Sequence, residues 1–178
     1  MRDFKALERA SNVAVIVAAV VLIFAVFFRR GSEGRNADRP TRGQLESKLR
    51  GEVVSNPEFL PGSNPFSCVL ALSTHCPFCE QNVAFYQKIS TRRPSNNFQL
   101  VGAFPQPQSE AVEYLRKRGI AADRVISLSL GDLRVEATPT ILLIGQQGQT
   151  IGAWVGALDQ ARQNEVLEML SKLETHSQ

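Results

Sequence analysis

Residues 73–79 read Ser-Thr-His-Cys-Pro-Phe-Cys and hold two of the three cysteines in this 178-residue chain. A Cys-x-x-Cys pair serves one of four purposes: half of a metal centre, a structural disulfide, a peroxide-reducing thiol, or a dithiol that cycles between reduced and oxidised forms. Each use places different demands on the rest of the chain. The residues on either side of the pair therefore decide both the fold and the chemistry.

The pair is predicted to join a buried strand to a helix. The apolar run at 68–72, CVLAL, has the composition of a strand buried on both faces. Pro77 suits the first position of a helix, because its missing N–H costs nothing there. The apolar face of that helix would consist of Val83, Ala84, Tyr86 and Ile89. Cys76 is therefore expected at the start of a helix.

Strand and helix patterns alternate through the rest of the chain. They predict a strand at 98–104, a helix capped by Ser109 and ended by Gly119 with Glu113 and Lys117 paired, a short strand at 125–130, strands at 140–144 and 150–155 joined across 145–148, and a closing helix at 159–173. A βαβ unit followed by a hairpin and a helix predicts an α/β fold. Its centre would be a mixed β-sheet flanked by helices.

In this order of elements, residues 45–174 resemble the thioredoxin-like superfamily, and within it the membrane-tethered redoxins of the TlpA/ResA kind. Three features carry the resemblance: Cys-Pro-Phe-Cys at 76–79 after a buried strand, Ala-Thr-Pro-Thr at 137–140 before the hairpin, and the closing helix. The resemblance implies a thioredoxin-like fold and a thiol:disulfide oxidoreductase activity. Its partners would be protein thiol or disulfide substrates and a second protein that resets the redox state.

Cys76 and Cys79 are the predicted catalytic residues. A sulfur at the start of a helix lies beside unpaired backbone N–H groups and the positive end of the helix dipole, which favours thiolate over thiol. Cys76 is then the attacking nucleophile. Cys79, one turn further on, can attack the mixed disulfide at Cys76 and release the substrate.

The resemblance also implies which residues contact the substrate. In the family, a cis proline lies against the dithiol and the residue before it pairs with the substrate chain, which here gives Thr138 and Pro139. Pro77, Phe78 and His75 are the remaining predicted substrate contacts. The sequence departs from thioredoxins proper at Leu70, where many have a buried acid. Glu80 is a candidate replacement for that proton acceptor, or simply a carboxylate on the helix surface.

The metal and structural-disulfide hypotheses have less support. A zinc site usually needs four ligands, and besides this pair the chain offers one lone cysteine, Cys68, and two histidines, of which His176 lies in the tail. A disulfide that closes only two intervening residues restricts little chain entropy. We therefore expect no metal and no cofactor, and Cys68 is expected to be a small buried apolar residue.

Two alternative functions stay open. Ser73 stands three residues before Cys76, where peroxiredoxins carry a Thr or Ser that orients peroxide, so a thiol peroxidase is one alternative. The other is a non-catalytic, tethered thioredoxin-fold module that uses its apolar active-site surface to bind a partner.

An uninterrupted apolar run of sixteen residues, Val13 to Phe28, lies near the N-terminus. At about 1.5 Å per residue, a helix of this length spans a thin bilayer core. The residues beyond it lack the A-x-A pattern of a cleavable signal peptide, which is the alternative. We therefore expect a tail at 1–12, a membrane anchor at 13–28, a flexible linker at 29–44 and the thioredoxin-like domain at 45–174.

Two arguments about orientation conflict. Five Lys/Arg follow the run within 29–42 and three precede it, which favours a cytoplasmic domain. A short basic tail also matches the start of a secretory segment, and a dithiol site is useful in an oxidising compartment. We expect a single-pass membrane protein with the redox domain outside the cytoplasm, on the periplasmic or extracellular side.

The charge distribution excludes a nucleic-acid-binding surface of the usual kind. Residues 1–42 carry eight of the 20 Lys/Arg and four of the 17 Asp/Glu, which leaves twelve and thirteen for the rest of the chain. The body is therefore close to neutral, although the net charge is +3. We expect a monomer that does not bind nucleic acid.

Overall fold

The computed structural model describes residues 21–23, 40–92 and 98–175. The chain divides into two units, Met1–Pro40 and Thr41–Gln178. The predicted anchor at 13–28 lies outside the described residues except for 21–23, which are helical and exposed. Within the described ranges, none of the helices has the length and apolar character that a membrane crossing requires.

The second unit is built around a five-stranded sheet. Its strands are β1 (Phe66–Ala71), β2 (Gln99–Phe104), β3 (Arg124–Ser127), β4 (Thr140–Gly145) and β5 (Thr150–Val155). Its helices are α1 (Arg42–Leu49), α2 (Pro77–Gln81), α3 (Val83–Thr91), α4 (Gln108–Lys117) and α5 (Gln160–Thr175), with short 3-10 turns at Pro57–Phe59 and Leu130–Leu133.

The strand order is β3-β2-β1-β4-β5. β1 runs parallel to β2, and β2 parallel to β3, whereas β4 is antiparallel to both β1 and β5. The predicted mixed sheet and the β4–β5 hairpin are therefore confirmed. Because the parallel strands β1 and β2 end at the same edge of the sheet, the loops after them lie side by side, and Cys76 lies where the loop after β1 meets α2.

The sheet carries an apolar core on each face. Every residue of β1 is buried, and its side chains alternate between the two cores, because successive residues of a strand face opposite ways. Cys68 and Leu70 pack with residues of α3, α4 and α5 on one face, and Val69 and Ala71 pack with residues of α1 and of the two 3-10 turns on the other. The predicted strand buried on both faces is confirmed.

The first helix shows that the predicted linker is too long and that the folded domain starts earlier than predicted. We expected a flexible segment up to residue 44, but α1 begins at Arg42 and the folded unit at Thr41. Thr41 and Gln44 form a capping box, in which each side chain bonds the other residue's backbone N–H. The helix has no broad apolar stripe, since only Glu46 and Leu49 are buried, and this concealed it in the sequence.

Glu46 ties α1 to two other elements. Its carboxylate oxygen Oε1 accepts a hydrogen bond from the Val155 N–H in β5, at 2.8 Å, and another from the Arg162 guanidinium of α5, at 2.7 Å. Glu46 is 8% exposed. A carboxylate this deeply buried needs such partners, so α1 is an integral part of the folded unit.

Three smaller predictions are also corrected. Ser109 does not cap α4, because the helix starts at Gln108 with Pro107 at the cap position. The predicted end of α4 is confirmed: Gly119 ends the helix at a φ of +61°. The Gly119 and Ile120 N–H groups donate hydrogen bonds to the carbonyls of Arg116 and Leu115. The strand expected at 125–130 is observed as the shorter β3, Arg124–Ser127. The helix predicted after Cys76 is interrupted at Asn82, which separates α2 from α3.

Candidate active site

Cys76 and Cys79 lie at the edge of the sheet where β1 ends. Cys76 occupies the N-cap of α2, Pro77 is the first helical residue, and the Cys79 N–H donates to the Cys76 carbonyl at 3.1 Å. Both sulfurs are free thiols. Cys76 is partly exposed and Cys79 is fully buried, so an approaching molecule meets the Cys76 sulfur first.

The Thr138-Pro139 segment packs directly against Cys76. The peptide bond between these two residues is cis, as the resemblance implies. The Cys76 thiol donates a hydrogen bond to the Thr138 carbonyl oxygen at 3.3 Å. The Pro139 carbonyl accepts from the Gly156 N–H at 2.7 Å, which fixes the segment beside the end of β5.

The pKa of the Cys76 thiol is lowered from its ordinary value of 9.0. Partial burial raises it, but hydrogen bonds outweigh that effect: those to the Thr138 hydroxyl, the Cys79 thiol and the backbone N–H groups of Cys79 and Phe78 all favour the charged sulfur. Because α2 has only five residues, we attribute the stabilisation to these local donors rather than to the dipole of a long helix.

The other two thiols behave in the opposite way. The pKa of Cys79 is raised to about 12 by burial and by the neighbouring Cys76 sulfur, against a hydrogen bond from the Ser73 backbone that lowers it. Burial also raises the pKa of Cys68 to about 12. Cys68 is fully buried in β1, as expected of a small apolar core residue, and only Cys76 combines access with a lowered pKa.

The remaining predicted substrate contacts lie around Cys76. Phe78 is 55% exposed, and Pro77 and His75 are exposed as well. Thr138 is partly exposed, whereas Pro139 is buried. The structure therefore brings the predicted site residues to one edge of the sheet, and Phe78 gives that edge an apolar surface.

Gln106 is a site residue that the sequence did not single out. It follows β2, and its side-chain amide donates to the Ser73 hydroxyl at 2.9 Å while its side-chain oxygen accepts from the Thr74 N–H at 3.3 Å. Gln106 Nε2 also lies 3.4 Å from Nδ1 of His75. Gln106 therefore braces the loop that carries Cys76, and the adjacency of parallel strand ends was the one signal for it.

Ser73 and Thr74 take part in the same polar network. The Ser73 hydroxyl accepts from Gln106 and from the His75 N–H. The Thr74 hydroxyl donates to the Glu110 carboxylate and lies 3.2 Å from Nδ1 of His75. In this arrangement the hydrogen bonds of the two hydroxyls stabilise the conformation of the loop that carries Cys76.

Glu80 forms an ion pair with Arg118 at the end of α4, with Nε 2.9 Å from each carboxylate oxygen. The Arg118 guanidinium lowers the pKa of Glu80, and partial burial opposes this effect. A carboxylate held in this way is a poor proton acceptor, so the structure argues against Glu80 as a replacement for the missing acid at Leu70. In the described part of the chain, no group of three or more His, Cys, Asp or Glu side chains is arranged to hold a metal ion.

Together, the mixed sheet, the Cys-x-x-Cys after β1 and the cis proline before β4 define a thioredoxin-like fold. Solved structures with the same fold include a secreted thiol-disulfide isomerase from Corynebacterium glutamicum, with a TM-score of 0.52 and 12% identity over 70% of this chain and 82% of that one. Another is the thioredoxin domain of a thiol-disulfide oxidoreductase from Bacteroides vulgatus, with a TM-score of 0.52 and 13% identity over 67% of this chain and 96% of that one.

A third similar structure, from Chlorobium tepidum, is assigned as the thiol:disulfide interchange protein DsbE, with a TM-score of 0.52 and 16% identity over 63% of this chain and 82% of that one. At these identities the likeness establishes the fold and no more. No family model matches the chain. No curated protein matches it either.

Proposed function

We propose that this protein is a thiol:disulfide oxidoreductase in which Cys76 attacks and Cys79 resolves. One observation carries the proposal: two cysteines of the same turn differ sharply, since Cys76 is partly exposed with a lowered pKa and Cys79 is buried with a pKa of about 12. An attacking thiol needs access and thiolate character, and a resolving thiol must stay protonated until the first step is complete.

In the first step, the Cys76 thiolate attacks one sulfur of a substrate disulfide. A Cys76–substrate disulfide forms, and the second substrate sulfur leaves as a thiolate. The charge on Cys76 is then gone, and with it one of the effects that raise the pKa of Cys79.

In the second step, Cys79 gives up its proton to solvent or to the departing thiolate and attacks the Cys76 sulfur. A Cys76–Cys79 disulfide forms, and the remaining substrate thiolate is released. The substrate gains two electrons and the protein loses two, so a partner dithiol must reduce the pair before the next cycle. The reverse sequence oxidises a substrate.

The substrate is proposed to be an extended segment of a protein that passes over Thr138 and Pro139. The contact between Cys76 and Thr138 supports this path, because a chain bonded to the Cys76 sulfur lies next to Thr138. The exposed side chains of Phe78, Pro77 and His75 would contact residues on either side of the substrate cysteine. The apolar ring of Phe78 suits an apolar substrate residue.

We also propose that the apolar run at 13–28 anchors the protein in a membrane, with the redox domain outside the cytoplasm. The run itself and the use of a dithiol site in an oxidising compartment support this location. Protease added to intact spheroplasts should digest the domain and spare a cytoplasmic control. Protection of the domain until the membrane is broken would contradict this topology and leave the thiol chemistry untouched.

The activity is tested by mixing the reduced protein with insulin as a disulfide substrate and, separately, with hydrogen peroxide. We expect insulin reduction in the presence of a chemical reductant, complete loss of it in Cys76→Ser, and no loss in Cys68→Ser, which alters a cysteine outside the pair. Rapid peroxide turnover without disulfide exchange would support the thiol peroxidase instead. A Cys76→Ser variant with full function in cells would support a binding module.

A further inference from the structure

Arg118 reaches the active-site helix from the end of α4. Its Nε lies 2.9 Å from both carboxylate oxygens of Glu80, and a terminal guanidinium nitrogen bonds one of them as well. Glu80 directly follows Cys79 in α2. The planar guanidinium matches the carboxylate in a way that a lysine ammonium does not, and Arg118 is only 26% exposed at its side chain.

Other contacts fix the position of Arg118. The guanidinium carbon lies 3.7 Å from the centre of the Tyr114 ring, and that ring packs edge-on against Phe104. The Arg118 carbonyl accepts a hydrogen bond from the Gln87 side chain of α3 at 2.6 Å. Arg118 therefore contacts both α2 and α3, the two helices separated by the interruption at Asn82.

The interruption itself is fixed from another side. The Asn82 side chain donates to the Leu158 carbonyl at 2.9 Å and accepts from the Leu158 N–H at 2.7 Å, and Asn82 is 4% exposed. This anchoring does not involve Arg118. Removing the Arg118 charge is therefore expected to leave α2 in place and to change mainly the electrostatics of the site.

Glu80 is the acidic residue in the first turn of α2 and directly follows Cys79, and this place in the helix is where its charge would act on the dithiol. A carboxylate without a counter-ion in the first turn of α2 would disfavour a thiolate at Cys76, because like charges repel. With Arg118 beside it, the Glu80–Arg118 ion pair has no net charge, so the repulsion of a Cys76 thiolate is removed.

Other titratable groups lie near the dithiol. They include His75, which directly precedes Cys76, and Glu110, which accepts a hydrogen bond from Thr74. They also include the phenols of Tyr114 and Tyr86, whose pKa values are raised by burial and then by nearby charges that include Cys79.

We propose that Arg118 is a positioning residue that sets the reduction potential of the Cys76–Cys79 pair by neutralising the Glu80 carboxylate. The proposal rests on the redox role of the pair proposed above and adds a residue that lies outside both sequence motifs. It concerns the stability of the dithiol relative to the disulfide, so it holds whichever protein is the substrate.

Two single substitutions distinguish this role from a structural one. Arg118→Gln leaves Glu80 without a counter-ion, which destabilises the Cys76 thiolate and makes the pair more reducing. Glu80→Gln leaves the positive charge of Arg118 alone, which stabilises the thiolate and makes the pair more oxidising. For one charge near a solvent-exposed site we expect a change of about two- to fivefold in the equilibrium constant with glutathione in each direction, which is about 10–20 mV.

The experiment measures the fraction of disulfide at equilibrium in glutathione buffers, together with the pH dependence of Cys76 alkylation, for the wild type, both single variants and the double variant. We expect opposite shifts in the singles and a value near wild type in the double. Shifts of the same sign, or none, would overturn the proposal, and if Arg118→Gln does not fold, Glu80→Gln and the double variant still decide it. If no Cys76–Cys79 disulfide forms in any buffer, the proposed function itself fails.

Discussion

The Cys76 sulfur and the Thr138 carbonyl oxygen lie 3.3 Å apart, although 62 positions separate the two residues in the chain. Thr138 acts on this sulfur in two ways. Its carbonyl accepts the thiol proton and so favours the protonated form, whereas its hydroxyl favours the thiolate. Thr138 therefore stabilises the thiol form of Cys76 through its carbonyl and the thiolate form through its hydroxyl.

Replacing Thr138 with valine should make Cys76 less reactive. The substitution keeps the branched shape and the backbone carbonyl but removes the hydroxyl that stabilises the thiolate. We expect alkylation of Cys76 at neutral pH to slow by about three- to tenfold, which is at or below the lower end for a hydrogen bond to a charged group. Thr138→Ser keeps a hydroxyl and is the matched control; equal slowing in both variants would show that the hydroxyl has no such role.

The three thiols should titrate in separate pH ranges. In the reduced protein, the alkylation rate of Cys76 should reach half its maximum below pH 9.0, and Cys79 and Cys68 should stay unreactive until far higher pH, because their pKa values are about 12. Mass spectrometry of each alkylated cysteine across a pH series measures this. If Cys79 or Cys68 were modified first, the assigned order of attack would be wrong.

These pKa values also predict how the stability of the reduced protein depends on pH. The lowered folded pKa of Cys76 contributes stability that is present above 9.0 and is lost as the pH falls through the folded value. The raised folded pKa of Cys79 contributes stability that is full below 9.0 and is lost as the pH rises toward about 12. Denaturant unfolding of Cys76→Ser and Cys79→Ser, compared with wild type across this range, should show the two opposite trends.

Gln106 should matter more than its neighbour Gln108. Gln106→Ala removes the brace on Ser73 and Thr74, and we expect a loss of about 1–2 kcal/mol in unfolding free energy together with slower disulfide exchange. Gln108 donates its side-chain hydrogen bond to the Val125 carbonyl in β3 instead, so Gln108→Ala should leave exchange unchanged. Equal exchange rates in both variants would remove Gln106 from the site.

The buried carboxylate of Glu46 should be a large contributor to stability. Glu46→Ala leaves the Val155 N–H and the Arg162 guanidinium without their partner, and breaking a buried pair in this way costs about 3–5 kcal/mol. Thermal or denaturant unfolding measures the loss. Glu168→Ala, which breaks an exposed pair with Lys172 on α5, should leave stability unchanged; an equally small effect at Glu46 would show that α1 is not essential to the fold.

The sheet and the dithiol were predictable because their signals are local. Short, continuous apolar runs marked β1, β2 and β4, and the order of Cys-Pro-Phe-Cys and Thr-Pro along the chain indicated the fold. The helix α1 was missed because its residues are mostly polar and only two of them are buried. The Thr41–Gln44 capping box was the available signal.

Contacts between distant residues could not be predicted in the same way. Gln106 braces a loop 32 and 33 residues earlier in the chain, and Arg118 reaches back 38 residues to Glu80. Neither residue stands in a motif, and each is an ordinary polar side chain until the fold places it. The interruption at Asn82 likewise depends on a partner, Leu158, that lies 76 residues away.

The central claim is that Cys76 forms the first bond with a substrate and Cys79 breaks it, and trapping tests this most directly. The reduced Cys79→Ser variant should be incubated with a disulfide-bonded protein, quenched by alkylation and mapped by mass spectrometry. We expect a stable mixed disulfide at Cys76 that a reductant releases, and none with Cys76→Ser. A mixed disulfide at Cys79 in Cys76→Ser, with none in Cys79→Ser, would reverse the assigned roles and contradict the proposed mechanism.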